Sequence, residues 1–309
     1  MIELKIIFLG TPEFAVPILE GLHEEYEIAL VISQPNRVKK KGVFLDTPVA
    51  KCAKELGLKL IQPESIKDSI DEILAIGADT LITAAYGQYL PSRLLNGFKV
   101  KVNVHGSLLP YHRGGAPIQR SLMEGDIETG VTIMEMAKKL DGGKIYSMEK
   151  YKIEDNDNST TLFEKLSLMG KDLLLKTLPD IYDGKNLGTP QDESIATYSE
   201  NIRPEEEEID LNRKSLDIVN QIRGLSLEPG AYLMVKDIKL KVFKASIVEY
   251  SGCEAPGTVL SVKKGITLKT LDGAITLDLV LMPGKKIISG KDFSNGQKIF
   301  TQGEVILSE

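Results

Sequence analysis

The sequence predicts an α/β protein that ends in a small all-β domain. Apolar runs of strand length alternate with helix-length amphipathic stretches up to about residue 190, the order that builds a mostly parallel sheet. After Pro229 the chain reads instead as short strands punctuated by glycine, as in a small barrel. At 309 residues it is also longer than one typical domain. The expectation is a Rossmann-like sheet with helices on both faces over 1–190, a connecting segment over 191–209, and an OB-like β-barrel over 210–309.

Each element has a local reason. Residues 4–10 are apolar enough for a strand buried on both faces. A helix is expected over 13–22, and Pro17 must bend it or delay its start. Residues 28–33 read as the second strand. Thr47 caps a helix whose first turn holds Pro48 and which Gly57 stops. Strands over 58–62 and 79–86 enclose a helix over 65–76. A helix over 116–124, strands over 130–136 and 144–153, and a helix over 160–177 complete the first domain. The run Glu205-Glu206-Glu207-Glu208 reads as solvated chain, and residues 215–224 as one helix.

The stretch from Val100 to Pro117 organises the rest. Its valines at 100, 102 and 104 alternate with the period of a strand. Positions i and i+2 share a side of a strand, so Asn103 and His105 project together. Gly106 stops the strand, and Pro110, Gly114, Gly115 and Pro117 shape an irregular loop. An acid/base side chain beside an amide, at the carboxyl end of a strand, is how active sites in open α/β sheets are built.

Composition excludes several classes. No apolar run approaches the ~20 residues of a membrane span, and the first residues lead straight into a strand without a signal peptide. Two cysteines far apart in sequence, Cys52 and Cys253, fit a reducing compartment and a cytoplasmic protein. With only His23, His105 and His112, and no paired ligand spacing, no metal site is expected. The first βα turn lacks a G-x-G-x-x-G fingerprint. Charge is uneven: 24 Lys and Arg face 34 Asp and Glu through residue 210, against 14 and 10 beyond it. Arg37, Lys39, Lys40 and Lys41 form a basic loop after the second strand, a position suited to phosphate contact.

These residues carry a family resemblance over nearly the whole chain. The opening Ile6-Ile7-Phe8-Leu9-Gly10-Thr11-Pro12, the core Asn103-Val104-His105-Gly106-Ser107-Leu108-Leu109-Pro110 with Arg113-Gly114-Gly115-Ala116-Pro117, and Leu140-Asp141-Gly142-Gly143 resemble the methionyl-tRNA formyltransferase family of 10-formyltetrahydrofolate-dependent enzymes. Gln221-Ile222-Arg223-Gly224 and Asp292-Phe293-Ser294-Asn295-Gly296 are similar to its second domain. The chain departs from the family pattern at Glu228, where a tryptophan is usual before Pro-Gly-Ala.

The resemblance implies formyl transfer from 10-formyltetrahydrofolate to initiator methionyl-tRNA, and nothing in the sequence demands more than a monomer. Formyltransferases acting on a sugar-nucleotide amine of the UDP-amino-arabinose type share the core motif and are the alternative. A binding module without catalysis is the third reading, against which the complete set of site residues counts. Asn103 would offer an amide N–H to the developing oxyanion. His105 would donate to the same oxygen or shuttle the proton. Asp141, known as catalytic only through the resemblance, would orient His105, favour its charged form and organise a water. Ser107, Leu108, Leu109 and Pro110 would line the folate site through backbone polar groups and apolar side chains. The basic loop would contact the tRNA near its acceptor end, with lysines of the second domain gripping the stem.

Overall fold

A computed structural model describes residues 4–37, 39, 40 and 43–306, and the side chains of Lys39 and Lys40 lie outside that description. The chain divides into two compact units. The first comprises Met1–Pro117, Glu128–Lys152 and Leu162–Glu200. The second comprises Ile118–Ile127, Ile153–Thr161 and Asn201–Glu309.

The first unit opens with β1 (Lys5–Gly10), α1 (Val16–Glu25) and β2 (Glu27–Ile32). Pro17 delays the helix rather than bending it: a 3₁₀ turn occupies Glu13–Ala15, and the proline sits in the first α-turn, where its missing N–H costs nothing. The short hairpin β3 (Lys39–Lys40) and β4 (Val43–Phe44) precedes α2 (Pro48–Glu55). Thr47 Oγ1 accepts the Ala50 N–H at 3.2 Å, capping α2 as the sequence suggests. Then come β5 (Leu60–Ile61), α3 (Ile70–Ala75), β6 (Thr80–Ala84), α4 (Ser92–Leu95) and β7 (Val100–His105). A two-residue strand β8 (Arg113–Gly114), α5 (Pro117–Glu124, which from Ile118 onward groups with the second unit), β9 (Glu128–Glu135), β10 (Ile145–Lys152), α6 (Ser159–Tyr182, in the first unit from Leu162) and β11 (Tyr198–Ser199) follow.

The main sheet has the order β10-β9-β7-β6-β1-β2-β5. The five strands from β7 to β5 pair in parallel, while β9 and β10 add antiparallel ladders at one edge. The last five residues of β1 are all buried, so this strand is covered on both faces. On one face Ile7, Leu9 and Leu81 pack with Ile66, Ile70, Ile73 and Leu94. On the other, Gly170 of α6 lets the helix close on Val104 and Val131. Fully burying each such side chain contributes about 1.5–3 kcal/mol. Tyr86 belongs to the first of these clusters, 4% exposed, and burial pushes its hydroxyl up to about 12.

The second unit holds α7 (Ser215–Leu225), β12 (Ala231–Val235), β13 (Ile238–Val248), β14 (Val259–Ser261), β15 (Ile266–Lys269), β16 (Ala274–Leu281), β17 (Ile288–Ser289) and α8 (Gly290–Gly296). Its strands form a curled antiparallel sheet in the order β12-β13-β16-β15-β14, with β17 on β16. Ile218, Ile222 and Leu225 of α7 join the inward side chains of that sheet in one core.

Residues 191–200, within the segment expected to connect the domains, group with the first unit. One sequence expectation needs correction: the glutamate run is not uniformly solvated. Arg120 holds the Glu206 carboxylate at 2.5 and 2.9 Å, and Gln221 Nε2 donates to the Glu206 and Glu208 carbonyls. Hydrogen bonds from Arg120 hold the Glu206 carboxyl down at about 2. Among the described residues no helix is long and apolar enough to cross a membrane, and no cluster of His, Cys, Asp or Glu is arranged to hold a metal ion.

Candidate active site

Register across the parallel ladder builds the first part of the site. Leu9 pairs with Thr83, Thr83 with Asn103, and Asn103 with Met134, so the four lie in one row across the sheet. Thr83, 4% exposed, donates its hydroxyl proton to Asn103 Oδ1 at 2.7 Å. The amide oxygen is thereby occupied and the Nδ2 hydrogens are left to point elsewhere. Asn103 is only partly buried, and among the described residues no group accepts from Nδ2.

His105 shares that face at the carboxyl end of β7 and is 6% exposed. Its Nε2 lies 2.9 Å from the His112 carbonyl oxygen. A carbonyl only accepts, so Nε2 carries the hydrogen and proton exchange falls to Nδ1. The loop that delivers the carbonyl is itself pinned. Thr132, wholly buried, donates to Ser107 O at 2.7 Å and accepts from Leu109 N at 3.2 Å. Ser107 Oγ donates to Tyr111 O. His112 adopts φ +56°, its N–H donates to Thr197 Oγ1, and its Nδ1 lies 2.7 Å from Ser199 Oγ.

Asp141 comes from the loop between β9 and β10, also at positive φ, +45°, a region aspartate tolerates better than most residues. Its Oδ2 accepts the Gly114 N–H at 2.8 Å and lies 3.9 Å from His105 Nδ1. That distance exceeds a hydrogen bond. The hydrogen bond that fixes the imidazole comes from the His112 carbonyl. The carboxylate stands within charge range of Nδ1 while the main chain anchors it. Gly114 explains why the loop needs a glycine: at φ +118°, a Cβ there would meet Ser199 O at 2.6 Å.

The other expected site residues fall in different places. Ser107, Leu109 and Pro110 are buried and Leu108 is half-buried. Much of their polar backbone is already committed: Ser107 O and Leu109 N to Thr132, Leu108 O to Tyr111 N, Pro110 O to Thr197 N. Arg37 is exposed, 3.7 Å from Glu64, a separation that leaves it available to other anions. Lys39 and Lys40 form one strand of the hairpin after β2; Lys41 lies outside the described residues.

Sequence reasoning missed Thr83, the His112 carbonyl, Gln191, Glu193, Thr197 and Ser199. Glu193 sits between Arg113 and Lys139. Hydrogen bonds from Arg113, then Lys139, bring its carboxyl from an ordinary 4.5 to about 2. A depressed folded value stabilises the fold fully above about pH 4.5, and that contribution is lost as pH falls toward 2. The wild type is expected to lose more of its melting temperature than Glu193→Gln between those pH values; equal losses would dismiss the ion pair as a contributor.

Comparison with known proteins places these residues in context. Residues 4–178 match the family model described as formyl transferase, and residues 201–298 match that of the formyl transferase C-terminal domain. A methionyl-tRNA formyltransferase of Streptococcus pneumoniae strain JJA is 46% identical over 307 residues, covering 97% of this chain and 98% of that protein. Among solved structures, the N-formyltransferase of Helicobacter canadensis in complex with folinic acid and dTDP-3-aminofucose has a TM-score of 0.67 at 19% identity, covering 89% of this chain and 99% of the other. HypX of Aquifex aeolicus bound to tetrahydrofolic acid has a TM-score of 0.63 at 16% identity, covering 93% and 46%. At such identities the two structures speak for the shared fold.

Proposed function

The chain belongs to the formyl transferase family, and from that premise we propose that it moves the formyl group of 10-formyltetrahydrofolate to the α-amino group of initiator methionyl-tRNA. The near-full-length likeness to relatives of that activity carries the choice of acceptor. The site geometry supports the chemistry. In the transfer the amine nitrogen forms a bond to the formyl carbon and the bond from that carbon to the folate N10 breaks. The amine loses a proton, N10 gains one, and the formyl oxygen gains negative charge on the way.

The folate supplies only the formyl group; the protein supplies the electrostatics. Asn103 Nδ2 has hydrogens to spare because Thr83 occupies the amide oxygen, so it suits the developing oxyanion. One such donor is worth about 2.7–4 kcal/mol. His105 takes and returns the proton at Nδ1, its other nitrogen being tied to the His112 carbonyl. Asp141 Oδ2, 3.9 Å away, stands beside that nitrogen as the proton moves. All three groups come from the first unit of one chain, so no second copy is needed to complete the site.

The test is to incubate the purified protein with 10-formyltetrahydrofolate and either methionyl-tRNA or UDP-amino-arabinose. Formyl-methionine on the tRNA, with the sugar left unmodified, is expected. Formylation of the sugar alone would overturn the choice of acceptor.

The basic loop gives a separate prediction. Lys39/Lys40/Lys41→Ala is expected to raise the Michaelis constant for methionyl-tRNA and leave that for the folate unchanged. It should also flatten the dependence of log affinity on log salt, by about one unit for each phosphate that the loop no longer neutralises. An unchanged Michaelis constant for the tRNA would remove the loop from the interface.

A further inference from the structure

Three consecutive residues each serve a different part of the site. The His112 carbonyl holds His105, and the Gly114 N–H holds the Asp141 carboxylate. Arg113 lies between them, and its side chain is wholly buried. A guanidinium out of water is costly unless its hydrogens are met. Nη1 and Nη2 donate to the two oxygens of Glu193 at 3.0 and 3.1 Å. Nε and Nη2 both donate to Gln191 Oε1, at 3.1 and 2.7 Å.

The second pair of bonds has a consequence. With two cationic donors on Oε1, the Gln191 amide has one orientation, and its NH₂ faces the other way. That NH₂ donates to Asp141 O at 2.8 Å and Gly143 O at 2.7 Å. Gln191 thus links a buried cation to the backbone of the loop that carries the carboxylate. The loop is one that needs holding. Asp141 is in the left-handed region, where a non-glycine residue persists only if its surroundings hold it. A Cβ on Gly143 would lie 1.9 Å from Glu135 O, so the backbone has no slack on that side.

We infer that Arg113 and Gln191 are positioning residues: they clamp the 141–143 backbone so that the Asp141 carboxylate reaches both Gly114 N–H and the neighbourhood of His105 Nδ1. Neither touches the reacting atoms. The inference deepens the formyl-transfer reading and rests on it for the catalytic consequence, though the clamp is measurable without turnover. A misplacement of about 1 Å can cost on the order of 10²-fold in rate, which sets the ceiling for losing the clamp.

The experiment uses Gln191→Met, Gln191→Glu, Asp141→Ala and the Gln191→Met/Asp141→Ala pair in the full chain. Gln191→Met matches the length and removes every bond. Gln191→Glu keeps the acceptor for Arg113 but replaces the NH₂ with an oxygen facing two carbonyls, and it decides the matter if the first variant fails to fold. Either variant is expected to lower kcat tenfold to 10²-fold with both Michaelis constants within twofold. In the Asp141→Ala background Gln191→Met should cost less than a further twofold, because the group it positions is gone. Amide hydrogen exchange at Gly114 gives the readout independent of activity: at least tenfold faster in Gln191→Met, as in Asp141→Ala. Undiminished protection of Gly114, or an undiminished loss of kcat in the double variant, would overturn the clamp. If Asp141→Ala retains full turnover while Gln191→Met still exposes Gly114, the clamp stands and the catalytic reading of Asp141 falls.

Discussion

His105→Ala is expected to lower kcat for formyl transfer by about 10²–10⁴-fold, the usual worth of a positioned acid/base. The ring is fixed at Nε2 by the His112 carbonyl and presents Nδ1 toward Asp141, so one nitrogen handles the proton throughout. The fold has little else riding on this side chain. Its removal leaves one carbonyl without a donor, at about 1–3 kcal/mol, while the valines of β7 keep the strand buried. Melting temperature should therefore fall modestly and folate binding should persist. His105→Gln tests the alternative that the ring only fills space, since its amide can still donate to His112 O but cannot carry a proton between partners. Near-normal turnover in either variant would take His105 out of the chemistry.

Asn103→Ala is expected to cost about 10²–10³ in kcat, the range for one oxyanion donor. Asn103→Asp should be at least as damaging. It exchanges two N–H donors for a carboxylate oxygen that repels the charge developing on the formyl oxygen. Thr83 sharpens the test. Its hydroxyl holds the Asn103 amide in the donating orientation, so Thr83→Val should lose part of the Asn103 effect and Thr83→Ser should keep it. Valine keeps the branched shape of threonine and serine keeps its hydroxyl, and single-turnover rates with tRNA saturating would separate them. A full rate in Asn103→Ala would mean that the oxyanion is met by another group.

What the sequence revealed and what it withheld follow from the kind of interaction involved. The shared side of Asn103 and His105 was readable because a strand repeats every two residues, and the alternation of Val100, Val102 and Val104 marked the strand. The start of α2 was readable because Thr47 and Pro48 act on their own turn. Thr83 was not, because its partnership with Asn103 depends on the register between two strands whose paired residues lie 20 positions apart. Asp141 before two glycines is indistinguishable from an ordinary turn residue, and only the family resemblance raised it. Gln191, Thr197 and Ser199 lie in a stretch without periodicity. Their polarity reads as solvent exposure in one dimension, whereas in space it serves the His112 N–H and ring and the carbonyls of Asp141 and Gly143. Glu206 misled in the same way: four adjacent glutamates suggest solvated chain until Arg120, 86 residues earlier, closes on one of them.

A crystal structure with a non-reactive analogue of the formyl donor bound would test the central claim most directly. The formyl oxygen should lie within about 2.7–3.1 Å of Asn103 Nδ2, with His105 Nδ1 and the Asp141 carboxylate on the side from which the amine approaches. A donor seated with that oxygen turned away from Asn103 and the imidazole beyond reach of the transferred carbon would contradict it.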